Sequence, residues 1–448
     1  MDSLIPYLIA DITLLVVIVL MMVRNLTFWH PLTVYLFFHA YSFTWRVIQL
    51  ISGAVPMYGN TKNFDVIRPE EFERAIIWAD VALLCFTFGA AFAQSYFRWK
   101  SQFPRIRREI KPQIVYAVCV ICLPSGLVVL TMAKSGTAEI SEVLASSGYL
   151  TLMSLWPMSC LIALILVKGF RAIIVIPICA YLSVVALQGY HRYMLVLPML
   201  CLAAIYLQQK GKRWPTFAMV IIGLCMVAIF PNLKYIGRAV NSGDYGEAVS
   251  LIKSSFYSNS EVNSGSERQF TSEEFLDQYA GALPLIDYSG EVYKGSTYLA
   301  LVTLPIPRAL WPNKPGLADF LRDISTVERP YDKEGRIVTY IGESYANFRY
   351  PGVVMISFSL GFGLSYWCFV ATTGPWLRLN RYVYIMGFMA FVQLFRDSLL
   401  SLPLFSVIHN LPALFILFAH LFAGSRLLVV DLPFDHQSRH EPTDEPAG

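Results

Sequence analysis

The chain has 448 residues, of which 56% are hydrophobic and only 15% charged, with a mean hydropathy of +0.51. That composition excludes an ordinary soluble domain, and the net charge of +4 is not gathered into the basic face that a nucleic-acid partner would need. The class that remains is an all-α polytopic membrane protein, with apolar windows of about 20 residues matched to a hydrocarbon core of about 30 Å.

Eleven spans are predicted, near residues 4–23, 31–53, 75–97, 113–133, 150–167, 172–189, 192–208, 215–231, 350–372, 382–399 and 402–424. The first follows Met1, Asp2 and Ser3, which make no basic n-region, and it ends at Arg24 without a small-residue cleavage pattern. It reads as a retained helix rather than a signal peptide. The connection from Arg98 to Lys111 holds six basic residues against one acidic, which the positive-inside rule places in the cytoplasm. Counting from it, Arg24, the loop Lys168 to Arg171, Lys210 to Arg213, Arg378 with Arg381, and Arg426 all fall on the same side, whereas loops 134–149 and 189–191 are poorer in cations. The N-terminus is then extracytoplasmic and the C-terminus cytoplasmic. The expected organisation is eight spans in 1–231, an extracytoplasmic loop or cap in 232–349, three spans in 350–424, and a cytoplasmic tail, 425–448, predicted to be disordered. All eight cysteines, Cys119 and Cys122 included, lie in apolar stretches, so neither a disulfide framework nor a thiolate metal site is expected.

Within the long loop, residues 254–266 are polar and turn-rich. Ser272 before Glu273 and Glu274 is an N-cap signal for a short helix reaching Ala280. From Ser296 to Leu310 the chain is apolar again, but it is too short and too broken by proline for an ordinary span, so a re-entrant or interfacial segment is predicted. It runs into Leu304-Pro305-Ile306-Pro307-Arg308-Ala309-Leu310-Trp311-Pro312-Asn313-Lys314-Pro315. Proline fixes φ, so the four prolines hold Arg308 and Lys314 on a shaped loop. Two readings stand for it: an interfacial anchor, with Trp311 and both cations at headgroup level, or an anion site suited to a pyrophosphate.

Charged groups in or beside a span are costly and are functional candidates by default. Arg192, in Gly189-Tyr190-His191-Arg192-Tyr193, sits at an outer junction of two spans. Arg396 sits at another, beside Asp397, with which it could simply pair. Glu343 and Asn347 would share a helical face at spacing i, i+4 and point together at the outer boundary; the alternatives are that Glu343 caps a helix or pairs with Arg349. His409, in the last span, is a further candidate, whereas His30 and His39 in the second span read as core histidines satisfied by neighbours. Arg46 reads as an anion contact or a snorkelling cation. There is no phosphate loop, dinucleotide fingerprint or zinc helix. Asp332 and Glu334 beside Gly335 read as a polar turn, and no metal or other cofactor is expected.

Cations, a carboxylate and a carboxamide converging on one membrane boundary suit a reaction with a leaving group of concentrated negative charge. Gly189-Tyr190-His191-Arg192, Pro305 to Pro315, and Gly342-Glu343-Ser344-Tyr345-Ala346-Asn347-Phe348-Arg349-Tyr350-Pro351-Gly352 resemble motifs of the bacterial oligosaccharide repeat-unit polymerases, the O-antigen polymerase (Wzy-type) family. The resemblance implies a GT-C-like, metal-independent glycosyltransferase of the inner membrane. Such an enzyme transfers a growing glycan from undecaprenyl pyrophosphate to a second lipid-linked repeat unit, building a surface polysaccharide (O-antigen, capsule or exopolysaccharide) with a chain-length regulator as partner. Carried onto this chain, Arg192, Arg308 and Arg396 would bind pyrophosphate with Lys314 assisting, Glu343 would be the general base, and Asn347 would orient it. The family's Asn-Phe-Gly pattern reads Asn347-Phe348-Arg349 here, so Arg349 is either an added phosphate contact or a surface change. The rivals are an O-antigen ligase using the same donor, and a transporter or flippase for lipid-linked glycans. Transport would call for polar residues through the midplane and two related halves, and no duplicated pattern is found.

Overall fold

The computed structural model describes residues 2–54, 68–100, 105–107, 110–134, 153, 155–187, 193–229, 233–256, 275–290, 292–303, 311, 339–373, 379–399, 410–422 and 428–430. Over these residues the protein is a bundle of helices. Helix α1 is Ile5–Met22. The second predicted span is one continuous run of α2 (Pro31–His39), a π-helical turn (Ala40–Thr44) and α3 (Trp45–Ile51). It is started by Pro31 at the first helical position and by His30, whose Nδ1 accepts from the Leu32 N–H at 3.2 Å. Then come α4 (Pro69–Lys100), α5 (Pro112–Lys134), α6 (Trp156–Lys168), α7 (Ala172–Leu187), α8 (Tyr193–Gln209) and α9 (Phe217–Ile229). The long loop supplies α10 (Leu233–Ser242), α11 (Tyr245–Phe256), α12 (Phe275–Ser289) and α13 (Ser296–Thr303), and the chain closes with α14 (Thr339–Thr372), α15 (Leu379–Arg396) and α16 (Leu411–Phe422).

Among the described residues, four helical stretches are long and apolar enough to cross a membrane: Asp2–Met22, Pro69–Trp99, Pro112–Val129 and Thr339–Thr372. Four further apolar helices are shorter: Trp156–Lys168, Ala172–Val185, Leu195–Gln209 and Leu411–Phe422. The protein is therefore an α-helical membrane protein by length and composition. Two short strands, β1 (Arg105–Arg107) and β2 (Leu428–Val430), pair antiparallel with Ile106 opposite Val429. The basic connection after α4 and the segment after α16 therefore meet at one end of the bundle. The strand occupies 428–430 of the tail expected to be disordered, and residues 431–448 lie outside the described ones.

The α4 and α14 pair is the most extensive helix contact. Its closeness depends on glycine: a Cβ on Gly89 would overlap the Phe358 carbonyl, and one on Gly361 would overlap the carbonyl of Phe86. Small residues of this kind let helix backbones approach where hydrophobicity cannot distinguish a neighbour from lipid. Beside the crossing, an aromatic cluster of Tyr35, Phe86, Tyr340 and Phe395 fills the core, and the Tyr340 hydroxyl donates to that of Tyr35 at 2.6 Å. The helix expected near Ser272 to Ala280 is realised as the longer α12. It is not a loose cap: Leu276, Tyr279, Leu283 and Ile286 are buried in the same core, with α4 and α14 as neighbours.

Gly361→Leu is expected to lower the apparent melting temperature of the detergent-purified protein. Gly363→Leu, at a position where a Cβ meets nothing within 4 Å, should leave it near wild type.

Candidate active site at a broken helix

Helix α14 is two helices joined at a kink. Phe348 (φ −141°, ψ 15°) and Arg349 (φ 57°, ψ −148°) leave helical geometry, and Pro351 restarts it. The predicted span near 350 is the second half alone. The first half, Thr339 to Asn347, carries Glu343 and Asn347 one turn apart, as their spacing predicts.

A kink leaves the last carbonyls of the first half without helical partners. The turn before α13 supplies them: the N–H of Tyr293 donates to the Ala346 carbonyl at 3.2 Å, and that of Lys294 to the Asn347 carbonyl at 3.1 Å. Asn347 answers with its side chain. Its Oδ1 accepts from the Gly295 N–H at 3.0 Å, while its Nδ2 donates to Thr297 Oγ1 at 2.7 Å and to the Glu343 carbonyl at 2.8 Å.

Thr297 in turn donates to Glu343 Oε1 at 2.9 Å, and the Leu399 N–H donates to Glu343 Oε2 at 2.8 Å. Glu343, Asn347 and Thr297 are all buried. The carboxylate neither caps a helix nor pairs with Arg349; it is held by neutral donors from two other segments. Each oxygen keeps a second lone pair for another donor. Burial, and after it the nearby Glu343 carboxylate, raises the Tyr298 hydroxyl above its ordinary pKa.

Arg349 turns to a separate polar cluster. Asp287, near the end of α12, takes Arg349 at 3.1 Å, Arg74 at 2.6 Å and the Tyr345 hydroxyl at 2.5 Å. The Arg74 guanidinium also donates to the hydroxyls of Tyr345 and Tyr350, and Tyr350 stacks on Trp78 with ring centroids 4.0 Å apart. Arg74 and Arg349 are each about a quarter exposed, so this cluster meets solvent while the Glu343 network does not. Arg396 pairs with its neighbour Asp397 at 3.3 Å and lies over the Phe275 ring. The turn that follows it reaches Leu399 and the Glu343 carboxylate.

Glu343, Asn347, Arg349 and Arg396 are thus brought to one end of the bundle. Arg192, Arg308, Lys314 and His409 lie outside the described residues. Of the proline-framed string only Trp311 is described, and it is exposed. Arg46 proves to be neither an anion contact nor a snorkelling cation. It makes a buried two-point ion pair with Asp277 of α12, at 2.9 and 2.6 Å.

Sequence reading missed Arg74, Asp277, Asp287 and Thr297. The available signal was the arginine at the mouth of the third predicted span, together with two acidic residues ten apart flanking an apolar helix. It also set aside His39, which lies against Asp11 and Asp80.

Removing one partner of a buried ion pair leaves the other uncompensated, at a cost of about 3–5 kcal/mol. Arg46→Ala and Asp277→Ala are each expected to lose about that much in denaturant unfolding, and the double variant Arg46→Met with Asp277→Leu to recover most of it. At position 349 the backbone conformation suits glycine, so Arg349→Gly should be more stable than Arg349→Ala by about 1–2 kcal/mol, both having lost the same ion pair. No family model, curated protein or solved structure matches this chain, so its own residues carry the functional reading.

Proposed function

We propose that this protein is a polytopic glycosyltransferase with eleven spans and a GT-C-like architecture. It joins polyprenyl-pyrophosphate-linked oligosaccharide repeat units at the extracytoplasmic face of a bacterial inner membrane. The observation that carries the reading is the backbone at Arg349. This is the position at which the chain departs from the Asn-Phe-Gly pattern of the O-antigen polymerases, and its φ of 57° with ψ of −148° belongs to a region populated almost only by glycine. The chain keeps the conformation that a glycine there would serve, with Arg349 bonded to Asp287 and to the Ile286 carbonyl.

In this reading the outer end of the bundle binds the donor. The pyrophosphate meets Arg308, Arg192 and Lys314, with Arg396 and the solvent-facing Arg349 and Arg74 contributing positive charge around it. The bond between the anomeric carbon and the pyrophosphate oxygen breaks, the acceptor hydroxyl oxygen forms the new glycosidic bond, and its proton passes to Glu343. Asn347, through Thr297, fixes that carboxylate. It also holds the start of α13 through the Gly295 N–H, so the base and that helix are set by one hydrogen-bond network.

Purified protein with a defined polyprenyl-pyrophosphate oligosaccharide should yield a ladder of polymer lengths. Arg308→Ala, Arg192→Ala and Glu343→Gln are each expected to abolish it at equal protein level. Glutamine can accept from Leu399 and bond to Thr297, so a folded, inactive Glu343→Gln variant would separate proton transfer from scaffolding. A full ladder from all three variants sinks the site assignment. A single transfer to a lipid A-core acceptor, with no ladder, would make the protein a ligase.

A further inference from the structure

Asp11 of α1, His39 at the end of α2 and Asp80 of α4 meet inside the apolar bundle, and the proposed glycosyl transfer uses none of them. His39 Nε2 lies 2.9 Å from Asp11 Oδ1 and 3.3 Å from Asp80 Oδ1, and donor atoms of all three residues fall within 4.8 Å of one another. Asp11 and His39 are 1% and 0% exposed, and Asp80 is 18% exposed. We propose that Asp11, His39 and Asp80 form a binding site for a divalent first-row transition cation such as Zn²⁺ or Mn²⁺.

Three observations favour a cation over a salt bridge. The first is charge. Two carboxylates and a protonated imidazole leave one uncompensated negative charge in a medium that penalises it heavily. Two carboxylates, a neutral imidazole and a divalent ion sum to zero.

The second is hydrogen bonding. One ring nitrogen faces both carboxylates, and a single N–H cannot satisfy both. Among the described residues, the facing Asp80 Oδ1 makes no well-aligned hydrogen bond, nor do the buried Asp11 Oδ2 and His39 Nδ1. A lone pair on Nε2 directed between two carboxylate oxygens is a ligand set. With metal–ligand bonds of about 2.0–2.2 Å, neighbouring donors stand about 3.0–3.5 Å apart, and the two measured separations lie at or close to that range.

The third is the backbone. His39 is followed directly by the π-helical turn Ala40–Thr44, a distortion often found at functional sites. One turn on, the buried Thr44 hydroxyl lies beside Asp11, a further oxygen donor. The mixed nitrogen and oxygen donor set favours Zn²⁺ or Mn²⁺ over Ca²⁺.

Full-length protein purified in detergent without chelators is expected to hold about one Zn²⁺ or Mn²⁺ per chain by elemental analysis. Chelator dialysis should remove the ion and lower the melting midpoint, and added Zn²⁺ or Mn²⁺ should restore it. Co²⁺ added to the stripped wild type should give ligand-field absorption, a readout that needs no variant. His39→Ala and Asp80→Asn should lose the metal and the chelator sensitivity together, whereas Glu343→Gln should keep both, so the outcome is independent of the polymerase reading. Folded wild type that is metal-free, insensitive to chelator and silent with Co²⁺ would overturn the site and leave a proton-sharing salt bridge in its place.

Discussion

Breaking a helix inside an apolar bundle exposes backbone groups where no water is at hand to bond them, and such a break persists only if protein supplies the missing partners. At Phe348 and Arg349 this constraint organises everything nearby. The N–H groups of Tyr293 and Lys294 satisfy the carbonyls of Ala346 and Asn347, and the Asn347 side chain bonds the Gly295 N–H. Satisfying the break therefore fixes the turn at 293–295, and that turn fixes the start of α13. Thr297 on α13 then becomes a donor to Glu343. The carboxylate owes its position to a repair of the backbone.

Among the described residues the buried Glu343 carboxylate meets no cation, unlike the other acids of this end. Asp277 and Asp287 sit near opposite ends of α12, and each is matched by arginine: Arg46 of α3 for the first, Arg74 of α4 and Arg349 of the kink for the second. These pairs sew the helix from the long loop onto the bundle at both ends, with the apolar face of Leu276, Tyr279 and Leu283 between them. Among the described residues, Glu343 has neutral donors only. Arginine beside it would lock it as a permanent anion; hydroxyl and amide donors position it and leave it able to take a proton.

What was legible in the sequence follows from what generates each feature. Hydropathy marks apolar helices because a span is defined by its composition, so α1, α4 and α5 fall close to their predicted bounds. The i, i+4 placement of Glu343 and Asn347 was legible because helical geometry is local. The span was predicted to begin near 350 because Phe348 to Gly352, with its proline, reads as a boundary, and the backbone does leave helical geometry there. Arg46 was ambiguous because its partner lies 231 positions away, and no local pattern encodes such a pairing. The same reason hid Asp11 and Asp80 from His39: the three lie on different helices.

The two arginines on Asp287 bear on why a strained residue is kept at 349. An arginine at a glycine conformation is strained by about 1–3 kcal/mol. The compensation includes a partly exposed ion pair, a bond to a carbonyl and a guanidinium placed over the Tyr345 ring, and a partly exposed pair contributes little in high dielectric. Stability alone is then a weak reason to keep arginine at 349. Under the proposed function, a second guanidinium beside Arg74, at this solvent-facing edge, is a stronger one. It adds positive charge at that edge, and the backbone conformation that glycine would otherwise supply is preserved by the packing around it.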